Sequence, residues 1–216
     1  MIFDSKNSKL AIFGTGGFAR EVLCLYRDIG QFSFEELSQR AVFVSNEQGL
    51  PEEIMGVKVI QESSFDPREY FATIGIGDSK IRKKVHDGLA QKFKFIRFAT
   101  LIHPNVVISP WVEVGEGVIL CAGTILTCNI KIGKQVQLNL DCTVGHDCVI
   151  EDYVTFAPGV KVSGNCTIGE FSYLGTNASV KQGVNIKPGI VVGMAASVVK
   201  DLEVPGVYVG VPAKLR

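Results

Sequence analysis

Neither sign of charge dominates this chain: 22 basic residues stand against 22 acidic ones in 216. A surface without net charge has little general hold on a phosphate backbone or an anionic bilayer, so neither nucleic acid nor a membrane is expected as main partner. Long apolar runs are also missing. Nowhere do about 18 apolar residues follow one another, and the start, MIFDSKNSKLAIFG, lacks the basic segment and apolar stretch of a secretory leader. A cytoplasmic protein is expected. The six cysteines (Cys24, Cys121, Cys128, Cys142, Cys148 and Cys166) form no CxxC pair, which argues against a zinc ribbon or a redox motif and for reduced, mostly buried thiols. Histidine is scarce, with only His86, His103 and His146. A catalytic zinc takes three protein ligands, and only two of these histidines lie in or beside the repeat region described next, so no metal is expected.

What is present divides into two regions of different period. From Lys9 to about Phe98, short apolar runs alternate with polar helical stretches. Strands are predicted at 10–13, 41–44, 57–60 and 71–77, with a last one near 93–98; helices are predicted over 18–29 and 79–92. Strands alternating with helices imply a small parallel α/β sheet, Rossmann-like in order.

After Thr100 the period becomes six. From Ile102 to Val198 every sixth residue is large and apolar, seventeen positions without a gap, and the fourth residue after each is usually small or apolar. Short strands joined by tight turns satisfy such a pattern, each coil stacking on the one before at roughly 4.8 Å. This sequence resembles the hexapeptide-repeat family, which implies a left-handed parallel β-helix with three hexapeptides per coil. The predicted organisation is an α/β domain over 1–100, a left-handed β-helix over 101–204 and a C-terminal tail over 205–216.

Inside the regular tract, the stretch VGHDCV carries an imidazole beside a carboxylate. His146 falls two residues past the apolar Val144, on a turn, so its side chain is expected to project outwards. Asp147 follows it. Asn139 lies seven residues earlier, about one repeat away, and is expected nearby. An unperturbed imidazole titrates near 6.5, which suits a general base at neutral pH. Cys148 falls on an inward position and is not expected to act as a nucleophile.

The N-x-x-x-x-x-G-H-D pattern and the following APGVKVSGNCTIG, with IGDSKIRKKV (76–85), HPNVVISP (103–110) and VGVPAK (209–214), resemble sugar acetyltransferases of the NeuD and PglD type over the whole chain. That resemblance implies His146 as general base, oriented by Asp147, and acetyl-CoA as co-substrate. Gly164, Thr176, Gly193 and Ala195 would contact acetyl-CoA through the main chain, with Pro212, Ala213 and Lys214 near its nucleotide. Gly164 N–H would also serve the oxyanion. Where some relatives carry a second histidine, this chain has Thr155. Because acetyl-CoA lies between subunits in this fold, a homotrimer is implied.

In the first region Gly14, Gly16 and Ala19 fit G-x-G-x-x-A between a strand and a helix. An NAD site also wants an acidic residue after the second strand, and Ser45 and Asn46 stand there instead. The resemblance implies a nucleotide-sugar acceptor held by Gly14, Gly16, Gly17 and Asn46, with Asp78, Lys80, Asn139 and Thr155 also lining the acceptor site. Asn46 replaces the aspartate of uracil-binding relatives, so a UDP-, dTDP- or GDP-linked sugar remains open. His103 is read as a cap of the first coil, and Arg20 and Arg82 as solvated or paired. The implied activity is acetyl transfer to the amino group of a nucleotide-linked 4-amino-4,6-dideoxysugar in bacterial surface-glycan biosynthesis, such as that of lipopolysaccharide. The alternatives are O-acetylation of a sialic acid and a non-catalytic trimeric scaffold.

Overall fold

The computed structural model describes Asp4 and residues 8–216; part of the stretch read for a leader lies outside the described residues. The chain divides into two units, Met1–His103 and Pro104–Arg216.

The first unit is built on a five-stranded sheet. Strands β1 (Lys9–Phe13), β2 (Ala41–Val44), β3 (Glu53–Ile54), β4 (Val57–Ile60) and β5 (Tyr70–Ile74) lie in the order β3-β4-β2-β1-β5, parallel except for β3. Leu10, Ala11, Ile12 and Phe13 are all buried because β1 is central and covered on both faces, as its unbroken apolar run requires. Helix α1 (Gly17–Gly30) follows β1, α2 (Phe34–Arg40) leads into β2, and α3 (Ser79–Lys92) follows β5. Helix α2 has a clear local cause that the sequence reading passed over. Ser33 accepts the Glu36 N–H while Glu36 accepts the Ser33 N–H, the reciprocal cap of an S-x-x-E segment. The strand expected at 93–98 reduces to a single bridge, Ala72 to Phe98, and Phe95 of that segment is exposed.

The second unit is a solenoid with a coil of eighteen residues. Three parallel faces run its length. The first stacks Val107–Ile108, Ile125–Leu126, Thr143–Val144, Lys161–Val162, Ser179–Val180 and Ser197–Val198 in register. The second stacks Val112–Val114, Ile130–Ile132, Val149–Ile150, Thr167–Ile168 and Asn185–Ile186. The third includes Ile119–Leu120, Gln137–Leu138, Thr155–Phe156, Tyr173–Leu174 and Val191–Val192, and Val207–Val209 pairs with its last member. The fold is thus the α/β domain and left-handed β-helix expected.

Two local devices make the period of six. Every sixth residue from Gly117 to Ala195 has positive φ, and several of the non-glycine ones, Asn129, Asp141, Asp147, Asn165 and Asn177, are the residue types that tolerate that region best. The glycine after the large apolar residue has a different task. A Cβ on Gly145 would lie 2.6 Å from the Gly164 nitrogen, so only glycine lets successive coils approach. Between these corners, Val144, Ile150, Phe156, Val162, Ile168 and Leu174 fill the interior.

The tail continues the solenoid rather than leaving it. Val207–Val209 turns back through Lys214–Leu215 in an antiparallel pair, and Ala213 N–H donates to the Ser197 carbonyl at 2.8 Å. Phe156 is wholly buried at the middle of this stack. Phe156→Ala is expected to cost about 3–5 kcal/mol of stability, read from a urea denaturation midpoint, because a narrow solenoid has no second layer to fill the cavity.

Candidate active site

His146 sits on the corner between the first and second faces, half-exposed, where the coil turns after Thr143–Val144. Its Nδ1 lies 2.7 Å from Asp147 Oδ2. Asp147 adopts φ 60°, which swings its carboxylate back alongside the ring. The other carboxylate oxygen accepts a 2.5 Å hydrogen bond from Asn129 Nδ2. Those two hydrogen bonds, from Asn129 first and His146 second, hold the Asp147 carboxyl below its ordinary range. An ionised Asp147 places the ring proton on Nδ1, leaving Nε2 as the acceptor.

One coil further on, Gly164 supports the ring. A Cβ there would fall 2.5 Å from Nε2 and 2.6 Å from Cε1 of His146, so the imidazole lies against the bare Cα. The backbone closes the same arrangement, with Asn165 N–H donating to the His146 carbonyl at 2.7 Å.

Two cysteines beside the pair, Cys148 and Cys142, are held as thiols. Cys148 is buried and turns inwards, and its hydrogen bond to Cys166, followed by burial, pushes its thiol up. Burial likewise pushes Cys142 up to about 11. Neither thiol is poised as a nucleophile.

Asn139 is not brought to His146. The coil has eighteen residues, so a separation of seven crosses the first face to its other corner, whereas Asn129, eighteen residues before Asp147, stacks on it. That other corner gathers different expected residues. Asn139, Thr176, Gly193 and Ala195 lie along it, and Ala195 N–H donates to the Thr176 carbonyl at 2.8 Å. Gly193 is constrained there, since its Cβ would meet Val209 Cγ1 at 2.9 Å. Pro212, Ala213 and Lys214 belong to the terminal turn and strand that pair with the same end of the solenoid. Thr155 is buried on the third face, paired with Gln137 and Tyr173. A separate groove of about 530 Å³ on the second face, with Glu113, Lys131, Glu151 and Glu170 in its walls, includes none of these residues.

In the first unit, chain order reverses about β1: β2 lies on one side and β5 on the other. Open α/β sheets bind ligands at such a point, outside the strand ends. Gly14, Gly16 and Gly17 follow β1, and Asp78 and Lys80 follow β5. The glycines divide by role. Gly14 has φ 113° and its amide donates to the Val44 carbonyl, a requirement of the turn itself. Gly16 and Gly17 are exposed, and a Cβ on Gly16 would meet nothing within 4 Å. Packing thus leaves the space beside them open.

Several expected contacts are already engaged within the unit. Asp78 caps α3, accepting from Lys80 N–H at 2.9 Å and Ile81 N–H at 2.8 Å. Asn46 Oδ1 accepts the Glu62 N–H at 3.1 Å, leaving the amide NH2 for any base contact. Arg82 is not solvated but wholly buried, donating to the carbonyls of Ile76 at 2.8 Å and Gly77 at 3.0 Å, which fixes the loop after β5. Its signal in sequence was only the i+4 spacing from Asp78 on α3. His103 Nε2 lies 3.6 Å from Asp28 Oδ2 of α1. Among the described residues, no three His, Cys, Asp or Glu side chains gather to hold a metal, and no helix is long and apolar enough to cross a membrane.

A histidine–carboxylate pair mounted on a hexapeptide-repeat β-helix, which follows an α/β domain in the chain, defines a two-domain member of the hexapeptide-repeat transferase class. Comparison narrows the class. Residues 9–89 match the PglD N-terminal domain. The chain is 31% identical over 183 residues to the GDP-perosamine N-acetyltransferase of Escherichia coli O157:H7, covering 83% of this chain and 81% of that protein. The acetyltransferase domain of PglB from Neisseria gonorrhoeae FA1090, solved with acetyl coenzyme A, superposes with a TM-score of 0.88 at 28% identity over 97% of this chain and 100% of that one. PerB from Caulobacter crescentus, solved with CoA and GDP-perosamine, gives 0.85 at 28% identity over 97% and 98%. The chain belongs to the sugar acetyltransferase family of the PglD and NeuD type.

The ring support has a direct test. Gly164→Ala inserts a methyl 2.5 Å from Nε2, so kcat is expected to fall roughly 10- to 100-fold through displacement of the imidazole, with little change in the KM for acetyl-CoA. A raised KM with intact kcat would make Gly164 a donor contact instead. In the first unit, Arg82→Met leaves the Ile76 and Gly77 carbonyls without their donor. A loss of roughly 1–3 kcal/mol in denaturation free energy is expected.

Proposed function

We propose that this protein transfers the acetyl group of acetyl-CoA to the amino group of a nucleotide-linked 4-amino-4,6-dideoxysugar, with His146 as general base. The observation that carries the reading is the His146–Asp147 pair: a half-exposed imidazole whose Nδ1 is taken by a carboxylate, which leaves Nε2, beside Gly164, as the acceptor. The relatives support the substrate class. One is a GDP-perosamine N-acetyltransferase, and PerB was solved with CoA and GDP-perosamine, a sugar of the proposed kind.

In this reading Nε2 of His146 takes the proton from the acceptor amine as its nitrogen attacks the thioester carbonyl. Charge develops on the carbonyl oxygen, and Gly164 N–H is the donor proposed for it. Collapse of the tetrahedral centre breaks the C–S bond, and the imidazolium returns the proton to the departing CoA thiolate. Asp147 stays ionised throughout, since both its hydrogen bonds favour the carboxylate, and stabilises the imidazolium between those steps.

Acetyl-CoA lies, in the same reading, along the corner of Thr176, Gly193 and Ala195, with Pro212, Ala213 and Lys214 near its nucleotide. The sugar nucleotide lies at the ends of β1 and β5 with Gly14, Gly16, Gly17, Asn46, Asp78 and Lys80, and Asn139 and Thr155 contribute to the acceptor site. The first face separates the acetyl-CoA corner from the His146 corner, so one chain does not bring them together. A second copy would, which supports a homotrimer. Val107 on that face and Leu140 and Met194 on its edge are exposed apolar residues suited to such an interface. Cytoplasmic surface-glycan biosynthesis, as of lipopolysaccharide, is the setting proposed.

Thiol release from acetyl-CoA with GDP-, UDP- and dTDP-linked 4-amino sugars, and with sialic acid in parallel, tests the proposal. Turnover with one nucleotide-linked amine is expected. His146→Ala should abolish it, whereas Asp147→Asn should reduce kcat by a smaller factor, because orienting a base matters less than being one. Turnover with sialic acid alone would replace the acceptor, and an unchanged His146→Ala rate would remove the base.

A further inference from the structure

We propose that Asn129 is a positioning residue for the transfer reaction, which locks the Asp147 carboxylate so that His146 presents Nε2 as the acceptor. The inference deepens the acetyltransferase reading and rests on it for its catalytic consequence.

The geometry comes from stacking. Asn129 stands eighteen residues before Asp147, one full coil, on the same corner. Both have left-handed backbones, φ 54° and φ 60°, so the two side chains leave the corner in the same sense. Asn129 Nδ2 donates to Asp147 Oδ1 at 2.5 Å, and Asp147 Oδ2 meets His146 Nδ1 at 2.7 Å. An exposed carboxylate held only by its histidine can rotate about its terminal bond and exchange its partner for water. Held at both oxygens, it keeps one orientation, and with it the ring.

The amide cannot be replaced by its acid. Asn129 donates through its NH2, while an aspartate there would be acceptor-only and would set a second negative charge beside Asp147. Asparagine serves twice at this position, as a donor and as a residue tolerant of the left-handed corner. Asn165 and Gly183 continue the corner at φ 59° and 80°, so glycine at 129 would keep the backbone while removing the amide.

Asn129→Gly is therefore the primary variant and Asn129→Asp the second, each compared with wild type in two measurements. The first is the 15N spectrum of the histidine-labelled protein without substrates, with His146→Ala to assign the signal. A wild-type imidazole protonated on Nδ1 is expected, shifting towards the Nε2-protonated form in both variants. The second is steady-state turnover of the acceptor identified above. A fall in kcat of roughly 10-fold is expected for Asn129→Gly and more for Asn129→Asp, with both KM values within about 2-fold of wild type. Adding Asn129→Gly to Asp147→Asn should cost no more than Asp147→Asn alone, since the amide acts through that carboxylate. A wild-type tautomer in Asn129→Gly, or a wild-type kcat, overturns the proposal. If no acceptor is turned over even by wild type, the acetyltransferase reading fails while the tautomer measurement still decides whether Asn129 positions the ring.

Discussion

The stacking of each coil on the next, eighteen residues later, is the constraint on which the site depends. Backbone bonds between coils hold Thr143 over Lys161 and Val149 over Thr167, and that register makes partners of residues remote in sequence. Asn129 meets Asp147 through it, and His146 lies on Gly164 through it. The corner is rigid because left-handed turns recur every sixth residue and glycines admit the neighbouring backbone. A catalytic group gains from such a mounting, since small errors in its position are costly.

The chemistry at this corner rests on orientation rather than on burial. His146 and Asp147 are both about half-exposed, at 52% and 49%, so no desolvation drives the pair together. The carboxylate is favoured by the donors around it, and the imidazole is favoured in one tautomer by the carboxylate. The buried thiols of Cys142 and Cys148 are pushed up by their surroundings and are not poised as nucleophiles.

The α/β unit solves a different problem with different means. Chain order reverses about β1, and the loops there are stiffened from within: Asp78 caps α3, and the buried guanidinium of Arg82 binds the carbonyls before it. Gly14 is required by the turn, while Gly16 and Gly17 leave open space beside the helix start. A nucleotide phosphate could approach main-chain amides at such a place without displacing a side chain. Loops held internally need not reorganise on binding, which lowers its entropic cost.

The sequence by itself determined the two units, the period of six and the outward histidine beside its carboxylate. Those features are local: apolar spacing dictates which side chains face inwards, and neighbours in sequence are neighbours in space. The strand after α3 was over-read, because alternation in FKFIRF does not reveal that only Phe98 joins the sheet. What only the tertiary structure decided is which residues meet across coils and between loops. A separation of seven suggested Asn139 as the companion of His146, but the closed turn has eighteen residues, so the companion of the pair is Asn129. Arg82 read as solvated or paired; it is paired and wholly buried, because two carbonyls of a folded loop accept its guanidinium, partners no helical spacing indicates. Such partnerships depend on where the backbone returns, and no pattern within a single turn of sequence contains that distance.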